Sequence, residues 1–213
     1  MSNKNFFKSK EGDKYFLRNH DKLKKINYET DKLQIIISNK ISNLTKKKIR
    51  VLEIGCGDGG RLSYLKQKFK KVKFYGLEPS KKAKKNNYKF NTIKIGTAEK
   101  LPFKKNYFDI LIFGFCLYLT DSEDLFQISN EAYRVTKKKS WIIIKDFDTE
   151  TTLFKKYKYN KNIKVRKMDY SKMFLWHPNF ILHSKEKYNH DRNNWTDDID
   201  KHISIVQIRK NVE

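Results

Sequence analysis

The sequence has 213 residues, a length that fits one domain with its own hydrophobic core. No stretch approaches the roughly 18 consecutive apolar residues of a membrane span, and residues 1–10 lack the apolar region of a secretory signal. Two cysteines, Cys56 and Cys116, are too few for a disulfide framework or a zinc site. A reducing, cytoplasmic setting without a bound metal is therefore expected.

The formal net charge is +24, and a basic surface attracts phosphate backbones, which would indicate a nucleic-acid partner. However, only 7 of the 48 basic residues are Arg, the residue favoured for bidentate phosphate and base contacts. Lys, Asn and Ile, the residues of A/T-rich codons, are abundant, so nucleotide bias would produce the same charge with no ligand involved. We favour a solvated basic surface and keep nucleic acid as the alternative.

The predicted elements of the first two thirds of the chain alternate between helix and strand. A polar and aromatic opening, residues 5–19, carries a turn signal at Gly12-Asp13 and precedes one or two helices within residues 21–44. Short apolar runs predict strands at residues 48–54, 72–77, 92–95, 107–113 and 141–147. Helices are predicted at residues 61–69, 80–88 and 121–135, with Ser80 capping the second and Asp121 or Ser122 the third.

The last third of the chain breaks this alternation. Residues 149–177 are basic and aromatic, with helical or irregular character. Residues 180–188 and 202–209 predict two more strands, joined by an acidic turn at residues 196–198. The predicted fold class is α/β, a seven-stranded and mostly parallel sheet with helices on both faces and an antiparallel C-terminal strand pair.

A glycine-rich turn follows the first predicted strand. Ligands of open α/β sheets bind beyond the carboxyl ends of the strands, and Gly55, Gly57 and Gly59 fall there. Glycine allows a tight turn and a close approach of a ligand to the backbone. Gly55, Gly57 and Gly60 also satisfy the dinucleotide pattern GxGxxG, so the turn alone is compatible with a nicotinamide cofactor.

Two acids beside this turn narrow the choice of ligand. Glu53, just before the first glycine, can hold the cationic end of a methionine-derived ligand but would repel a pyrophosphate. Glu78, at the end of the second strand, is placed to accept hydrogen bonds from both hydroxyls of a ribose. Residues 96–103 follow the third strand, where an adenine would lie, and include Ala98 and Glu99. An acid near a helix N-terminus would explain Glu99 as well.

Residues 51–60, 76–80, 96–103 and 108–111 resemble, in this order, the motifs of class I methyltransferases of the methyltransferase-11 type. The resemblance implies a Rossmann-like sheet and S-adenosyl-L-methionine as cofactor. Around that cofactor we expect the residues of these motifs and of the fourth strand's end: Glu53, Gly55, Cys56, Gly57, Gly59, Glu78, Pro79, Ala98, Glu99, Gly114 and Phe115.

The flanks carry a second resemblance. Residues 11–19 and 197–210 are similar to bacterial methylases of pseudaminic-acid and other surface-glycan pathways, although the glycine turn departs from that group. Residues 113–119 and 168–178 resemble related proteins. Tyr15, Arg18 and Asn19 would form a lid over the ligand's carboxylate, and an N-terminal docking segment explains them equally. A single domain is expected, with a helical lid at residues 1–45, a cofactor-binding core at 46–147 and an acceptor-side region at 148–213.

Methyl transfer from a sulfonium is an in-line displacement, in which alignment supplies much of the acceleration and a base near the acceptor completes the site. His177 is a candidate base because imidazole titrates near neutrality, although a histidine in an aromatic stretch is more often structural. Asp146, which ends the fifth strand, and Asp169 are the other candidates. Tyr118 is expected to shape the pocket. Cys116 follows the fourth strand, where a nucleophile could stand, but no Pro-Cys pair is present and a buried Cys is usually inert.

The sequence thus predicts transfer of a methyl group to an oxygen, or less readily a nitrogen, of a sugar or nucleotide-sugar. The acceptor would lie between the N-terminal segment and residues 149–177, where Lys155, Lys156, Lys158 and Arg166 could attract a phosphorylated or acidic group. The alternatives are an RNA or DNA methyltransferase, a cofactor-binding protein without catalysis, and a nicotinamide-dependent oxidoreductase. His183, His190 and His202 are scattered and indicate no metal site.

Overall fold

The computed structural model describes residues 2–46, 48–86, 92–190, 195 and 197–211. The strands of this part of the chain are β1 (Arg50–Ile54), β2 (Lys73–Glu78), β3 (Ile93–Ile95), β4 (Phe108–Gly114), β5 (Thr136–Phe147), β6 (Leu153–Tyr157), β7 (Asn160–Lys167), β8 (Phe180–Asn189) and β9 (His202–Lys210). Its helices are α1 (Asn3–Phe6), α2 (Gly12–Lys24), α3 (Lys32–Ser42), α4 (Gly60–Lys68), α5 (Lys81–Lys85), α6 (Leu125–Val135) and α7 (Lys172–Leu175).

The central sheet has seven strands in the order β3-β2-β1-β4-β5-β9-β8. Strands β1 to β5 pair in parallel, whereas β9 is antiparallel to both β5 and β8. The predicted fold class, including the antiparallel C-terminal strand pair, is confirmed. The chain order reverses at β1 and β4, which lie side by side at the centre, so their carboxyl ends form the switch point where such sheets bind ligands.

Apolar layers cover both faces of the sheet because alternate residues of each strand point to opposite sides. In β4, Leu111 and Phe113 belong to one core, while Ile110 and Ile112 belong to the other. The first core includes the buried side chains of α6 and α7, namely Ile128, Ala132, Val135, Met173 and Phe174. The second includes those of α3 and α4, namely Leu33, Ile37, Ile41, Leu62 and Leu65. The central strands are thereby fixed, and with them the loops at their carboxyl ends.

The region 149–177, predicted as helical or irregular, contains helix α7, but residues 153–167 form the antiparallel hairpin of β6 and β7, so for the hairpin that prediction was wrong. Ile163 and Val165 are buried, while the neighbouring Asn162 and Lys164 are exposed. Alternation of buried and exposed residues with a period of two is typical of a β-strand. The many lysines on the exposed face of the hairpin make this period hard to recognise in the sequence. The buried face packs on Phe7, so the hairpin lies against the N-terminal segment.

The start of the chain also differs from its prediction. Gly12 and Asp13 do not form a turn, since they begin α2 directly after a π-helical segment, Phe7–Glu11, whose Ser9 is non-helical. The predicted helix 121–135 is divided into a 3₁₀ turn, Ser122–Asp124, and α6. Asp121 caps another element: its carboxylate accepts the backbone N–H groups of Asn3 (2.7 Å) and Lys4 (3.0 Å) at the beginning of α1.

Two further predictions reach beyond the described residues. Helix α5 ends at Lys85 with Ser80 as its N-cap, and residues 87–88 of the predicted helix 80–88 are not among the described ones. The same holds for residue 196 of the predicted turn 196–198. Within the described ranges, no helix combines the length and apolarity needed to cross a lipid bilayer.

Candidate functional site

The turn between β1 and α4 brings the backbone to the centre of the switch point. Gly55 and Gly57 adopt φ angles of 69° and 56°, in the left-handed region that strains other residues. A Cβ at Gly55 would also lie 2.7 Å from Cβ of Cys116, so no side chain fits there. The turn borders a cavity of about 490 Å³, which is closed on the other side by the N-terminal helices α1 and α2.

Glu53 lies on the cavity wall at the end of β1 and is only 4% exposed. Its Oε1 accepts a hydrogen bond from Nε of Arg61 (3.1 Å), but its Oε2 is buried with no hydrogen-bond partner. Burial raises the pKa of Glu53 to about 7, although the Arg61 guanidinium opposes the shift. An unpartnered buried carboxylate oxygen is costly, so this position suits a cationic donor from a ligand.

Arg61 connects Glu53 to a buried charge network that the sequence did not reveal. Its Nη1 donates to Oδ1 of Asp31 at 2.6 Å, and Nζ of Lys145 lies 3.3 Å from the other oxygen of Asp31. Arg61 lies in the first turn of α4, Asp31 caps α3, and Lys145 belongs to β5. Because Arg61 is held on both sides, it cannot swing away, and Glu53 is fixed with one oxygen towards the arginine.

Glu78, at the end of β2, is held by backbone groups. Its Oε2 accepts the N–H of Gly57 (2.9 Å) and its Oε1 the N–H of Ser80 (3.0 Å). Burial raises the pKa of Glu78 to about 7 against these two hydrogen bonds, which lower it. Each carboxylate oxygen retains a second lone pair for a hydroxyl donor. Asp13 of the N-terminal helix α2 accepts hydrogen bonds from the Ser80 hydroxyl (2.7 Å) and from the Lys82 N–H (2.9 Å), which ties α2 to this wall.

The far end of the cavity is formed by the segment after β3. Pro79, Ala98 and Glu99 line it, and Ala98 is 5% exposed. Glu99 accepts hydrogen bonds from the Thr97 hydroxyl (2.7 Å) and from Nζ of Lys8 (3.1 Å). Burial acts to raise the pKa of Glu99, but these hydrogen bonds and the Lys8 charge lower it overall. The carboxylate is therefore partnered within the protein.

The residues expected to form a lid divide into two groups. Tyr15 lines the cavity and shares a hydrogen bond of 3.0 Å with Tyr118, and Asn19 lines it as well. Arg18 does not line it, because its guanidinium pairs with Glu11, donates to the Tyr157 hydroxyl (2.9 Å) and stacks on a neighbouring tyrosine. Arg18 therefore fastens α2 to the hairpin of β6 and β7.

The remaining expected residues sit around the turn. Cys56, Gly114 and Phe115 line the cavity, whereas Gly59 does not, although its φ of 80° completes the turn. Phe115 has a φ of 63°, a conformation rare for a side chain of this size. Burial raises the pKa of both Cys56 and Cys116 well above the usual thiol value, so neither provides a thiolate nucleophile.

The structure brings none of the three predicted catalytic residues to the cavity wall. Asp146 is buried, its carboxylate accepts the N–H groups of Leu117 and Phe147 (both 2.8 Å), and burial raises its pKa to about 7. Asp169 is paired with Lys185 at 2.8 Å. His177 stacks on Tyr133 with ring centroids 4.5 Å apart. All three serve local structure in this arrangement.

His190, considered only as a scattered histidine, lines the cavity instead. Its ring lies 5.2 Å from the Phe115 ring and is stacked on Phe147 at 6.0 Å. It is the last residue described before the gap at 191–194, just after β8, and no local motif marks it in the sequence. Across the described ranges, no cluster of three or more His, Cys, Asp or Glu side chains could hold a metal ion.

Comparisons with known proteins agree with this geometry. Residues 52–144 match the family model described as a methyltransferase domain, and these residues run from β1 into β5. No protein of curated function matches the chain.

The fold is similar to that of a SAM-dependent methyltransferase from Methanosarcina mazei, with 15% identity, a TM-score of 0.63 and coverage of 82% of this chain and 98% of that one. It is also similar to the 1,6-didemethyltoxoflavin-N1-methyltransferase of Burkholderia thailandensis, which was solved with 1,6-didemethyltoxoflavin and S-adenosylhomocysteine. There the identity is 12%, the TM-score 0.65 and the coverage 93% and 87%. A third similar structure is the [4+2]-cyclase SpnF (13% identity, TM-score 0.63, coverage 84% and 82%), so this fold alone does not fix the reaction.

Proposed function

We propose that this chain, an S-adenosylmethionine-dependent methyltransferase of the class I fold, methylates an oxygen of a small molecule or glycan precursor such as a sugar or nucleotide-sugar. The observation that carries the proposal is the buried carboxylate of Glu53, whose Oε2 has no donor, beside a turn free of side chains. A cationic amino group is the partner that this oxygen lacks, whereas a pyrophosphate would be repelled.

In this proposal the cofactor extends along the cavity from Glu53 to Glu99. Glu53 would pair with the amino group, and Glu78 would accept hydrogen bonds from the ribose hydroxyls. Pro79 and Ala98 would enclose the adenine, with Glu99 at its edge. The turn residues, with Cys56, Gly114 and Phe115, would lie against the ribose and sulfur, and Tyr15 would cover them. Arg18 and Gly59 would act indirectly, through the attachment of α2 and the shape of the turn.

The three regions of the chain would divide this work. Residues 1–45 form the lid, residues 46–147 bind the cofactor, and residues 148–213 complete the acceptor side. The cofactor supplies an electrophilic methyl group on a sulfonium. The chain's own residues then have to align the acceptor, exclude water and accept its proton. Phe7, Tyr15 and Phe115 line the cavity, and this aromatic wall supports water exclusion.

His190 is the residue we propose as the base, in place of His177, because it lines the cavity beside Phe115. The test is His190→Asn against the matched control His177→Asn, using a panel of nucleotide-sugars as acceptors and the release of S-adenosylhomocysteine as the readout. His190→Asn should lower the rate by about 10²- to 10⁴-fold, the usual contribution of a general base. Equal rates for the two variants would contradict the assignment.

Calorimetric titration tests the cofactor directly. S-adenosylhomocysteine should bind with a 1:1 stoichiometry, and NAD should not bind, since the carboxylate of Glu53 beside the glycine turn would repel its pyrophosphate. The matched pair is Glu78→Gln, which should weaken binding, and Glu29→Gln, which changes an exposed acid outside the cavity. Binding of NAD in place of S-adenosylhomocysteine would favour the oxidoreductase alternative and overturn the proposal.

A further inference from the structure

A second cavity of about 230 Å³ adjoins the first, and Thr120 and Asp121 line both. It lies between the N-terminal helix α1, which contributes Asn3, and the hairpin of β6 and β7, which contributes Lys164 and Arg166. It therefore adjoins the main cavity where Thr120 and Asp121 form the wall. A ligand in the main cavity could extend into it past Thr120.

Arg166 is the unusual residue of this second cavity. It is only 4% exposed, yet no carboxylate of the described chain forms an ion pair with it. Its Nη1 donates to the Ser122 hydroxyl and its Cζ lies 5.9 Å from the centre of the Tyr170 ring, while Nε and Nη2 are buried without a hydrogen-bond partner. Buried arginines normally pair with an acid, because an unpartnered guanidinium has lost its water without compensation.

The acid that could have paired with Arg166 is used elsewhere. Asp121 lines the same cavity, but both of its oxygens accept backbone N–H groups at the start of α1. Ser122, Asn162 and Lys164 also line the space, and each of these residues carries a side-chain donor. The donors outnumber what a single carboxylate could accept, and they match the several oxygens of a phosphoryl group.

We propose that this cavity binds a phosphoryl group of the methyl acceptor, held by Arg166 with Ser122 and Lys164. This inference rests on the proposed function, since it assigns the second cavity to the methyl acceptor. It names the substrate class as phosphorylated, such as a sugar phosphate or a nucleotide-sugar. It also makes Arg166 a specificity-determining residue, because an acceptor without the phosphoryl group would leave its two donors unpaired.

The test measures inorganic pyrophosphate binding by calorimetry, both on the free protein and on protein saturated with S-adenosylhomocysteine. Wild type should give saturable binding in each case. Arg166→Met should weaken it by at least about tenfold, since hydrogen bonds to charged groups carry that much affinity. The control Lys161→Met removes an exposed charge from the same hairpin and should leave binding within about twofold.

Three outcomes would overturn the proposal: no saturable binding to wild type, equal loss with Lys161→Met, or equal affinity for malonate, which would indicate a carboxylate site. If Arg166→Met fails to fold by circular dichroism, Ser122→Ala replaces it, since this variant removes a lining hydroxyl and the partner of Arg166. Ser122→Ala should weaken pyrophosphate at least about threefold, and unchanged affinity would contradict the assignment. If the wild-type protein does not bind S-adenosylhomocysteine, the proposed function is contradicted. In that case the pyrophosphate titration of the free protein still tests the phosphoryl site.

Discussion

The substitution Glu53→Gln tests whether cofactor binding requires the negative charge of Glu53 or only the size of its side chain. The substitution keeps the size of the side chain and an oxygen for Arg61, but it removes the negative charge that we assign to the amino group of the cofactor. A hydrogen bond to a charged group contributes about 1.5 to 3 kcal/mol. At the position of the buried Oε2, this predicts that S-adenosylhomocysteine binds roughly 10- to 150-fold more weakly.

The pH dependence makes the prediction sharper. Burial raises the pKa of Glu53 to about 7, so the free protein carries a protonated carboxyl below that pH, and a protonated carboxyl cannot pair with an ammonium group. The affinity should therefore rise as the pH increases to about 7 and level off above it. Below pH 7 the loss should be about tenfold per pH unit for each proton that must leave.

Glu78 also affects how steeply the cofactor affinity depends on pH, and variants of Glu53 and Glu78 separate the two contributions. Burial raises its pKa to about 7 as well, so wild type should lose affinity with two linked protons if both carboxylates must be ionised. Glu53→Gln should reduce this to one proton, and Glu78→Gln should do the same. Calorimetric titrations from pH 5.5 to 7.5, with Glu29→Gln as the control, measure these slopes. If Glu53→Gln binds as tightly as wild type over this range, the reasoning about Glu53 is refuted.

Three further predictions follow from the described contacts. Gly55→Ala should lower stability by about 1 to 3 kcal/mol in denaturant unfolding, because the left-handed φ strains it and its Cβ would clash with Cys116; an unchanged midpoint would contradict this. Asp109→Asn should cost about 3 kcal/mol, since the carboxylate accepts from Lys46 (2.8 Å) and Lys137 (2.7 Å). Burial acts to raise the pKa of Asp109, but the two lysines lower it overall. The carboxylate of Asp109 therefore stabilises the fold above about pH 4, and this stabilisation is lost as the pH falls. Equal midpoints of acid unfolding for Asp109→Asn and wild type would contradict this prediction. A gel shift with double-stranded DNA and with RNA at physiological salt should give no complex, and a salt-sensitive complex displaced by S-adenosylhomocysteine would revive the nucleic-acid alternative.

The fold could be predicted from the sequence because its main signals are local. The apolar runs ended by glycine at residues 48–60 and the spacing of the later strands specify a parallel sheet, and the structure has it. The hairpin of β6 and β7 was missed, since its lysine-rich outer faces conceal the alternation of Ile163 and Val165. The sequence predicts Asp121 or Ser122 as the cap of the following helix, whereas Asp121 caps α1 from more than a hundred residues away.

The candidate site was predictable only where its residues belong to the glycine turn and the strand ends. Glu53 and Glu78 could be found because each follows directly from a strand position. Arg61 could not, since its importance comes from Asp31 and Glu53, which only the folded chain brings to its two sides. His190 could not be predicted either. Unlike His177, it lines the main cavity, and its neighbours in the sequence do not indicate this.

The distribution of charge separates the site from the composition of the chain. Although the net charge is +24, acids outnumber bases on the wall of the main cavity. Its acidic side chains are Glu53, Asp58, Glu78, Glu99, Asp121 and Asp124, and its lysine and arginine side chains are Lys4, Lys22 and Arg61. Lys4 pairs with Asp124 at 3.0 Å, and Arg61 pairs with Glu53, so the positive groups of the wall are largely neutralised. A cavity of this kind favours a cationic ligand such as a sulfonium, whereas a polyanion would be attracted to the outer surface. Raising the salt concentration should therefore weaken any nucleic-acid contact steeply while leaving S-adenosylhomocysteine affinity nearly unchanged, because the buried carboxylates are poorly screened.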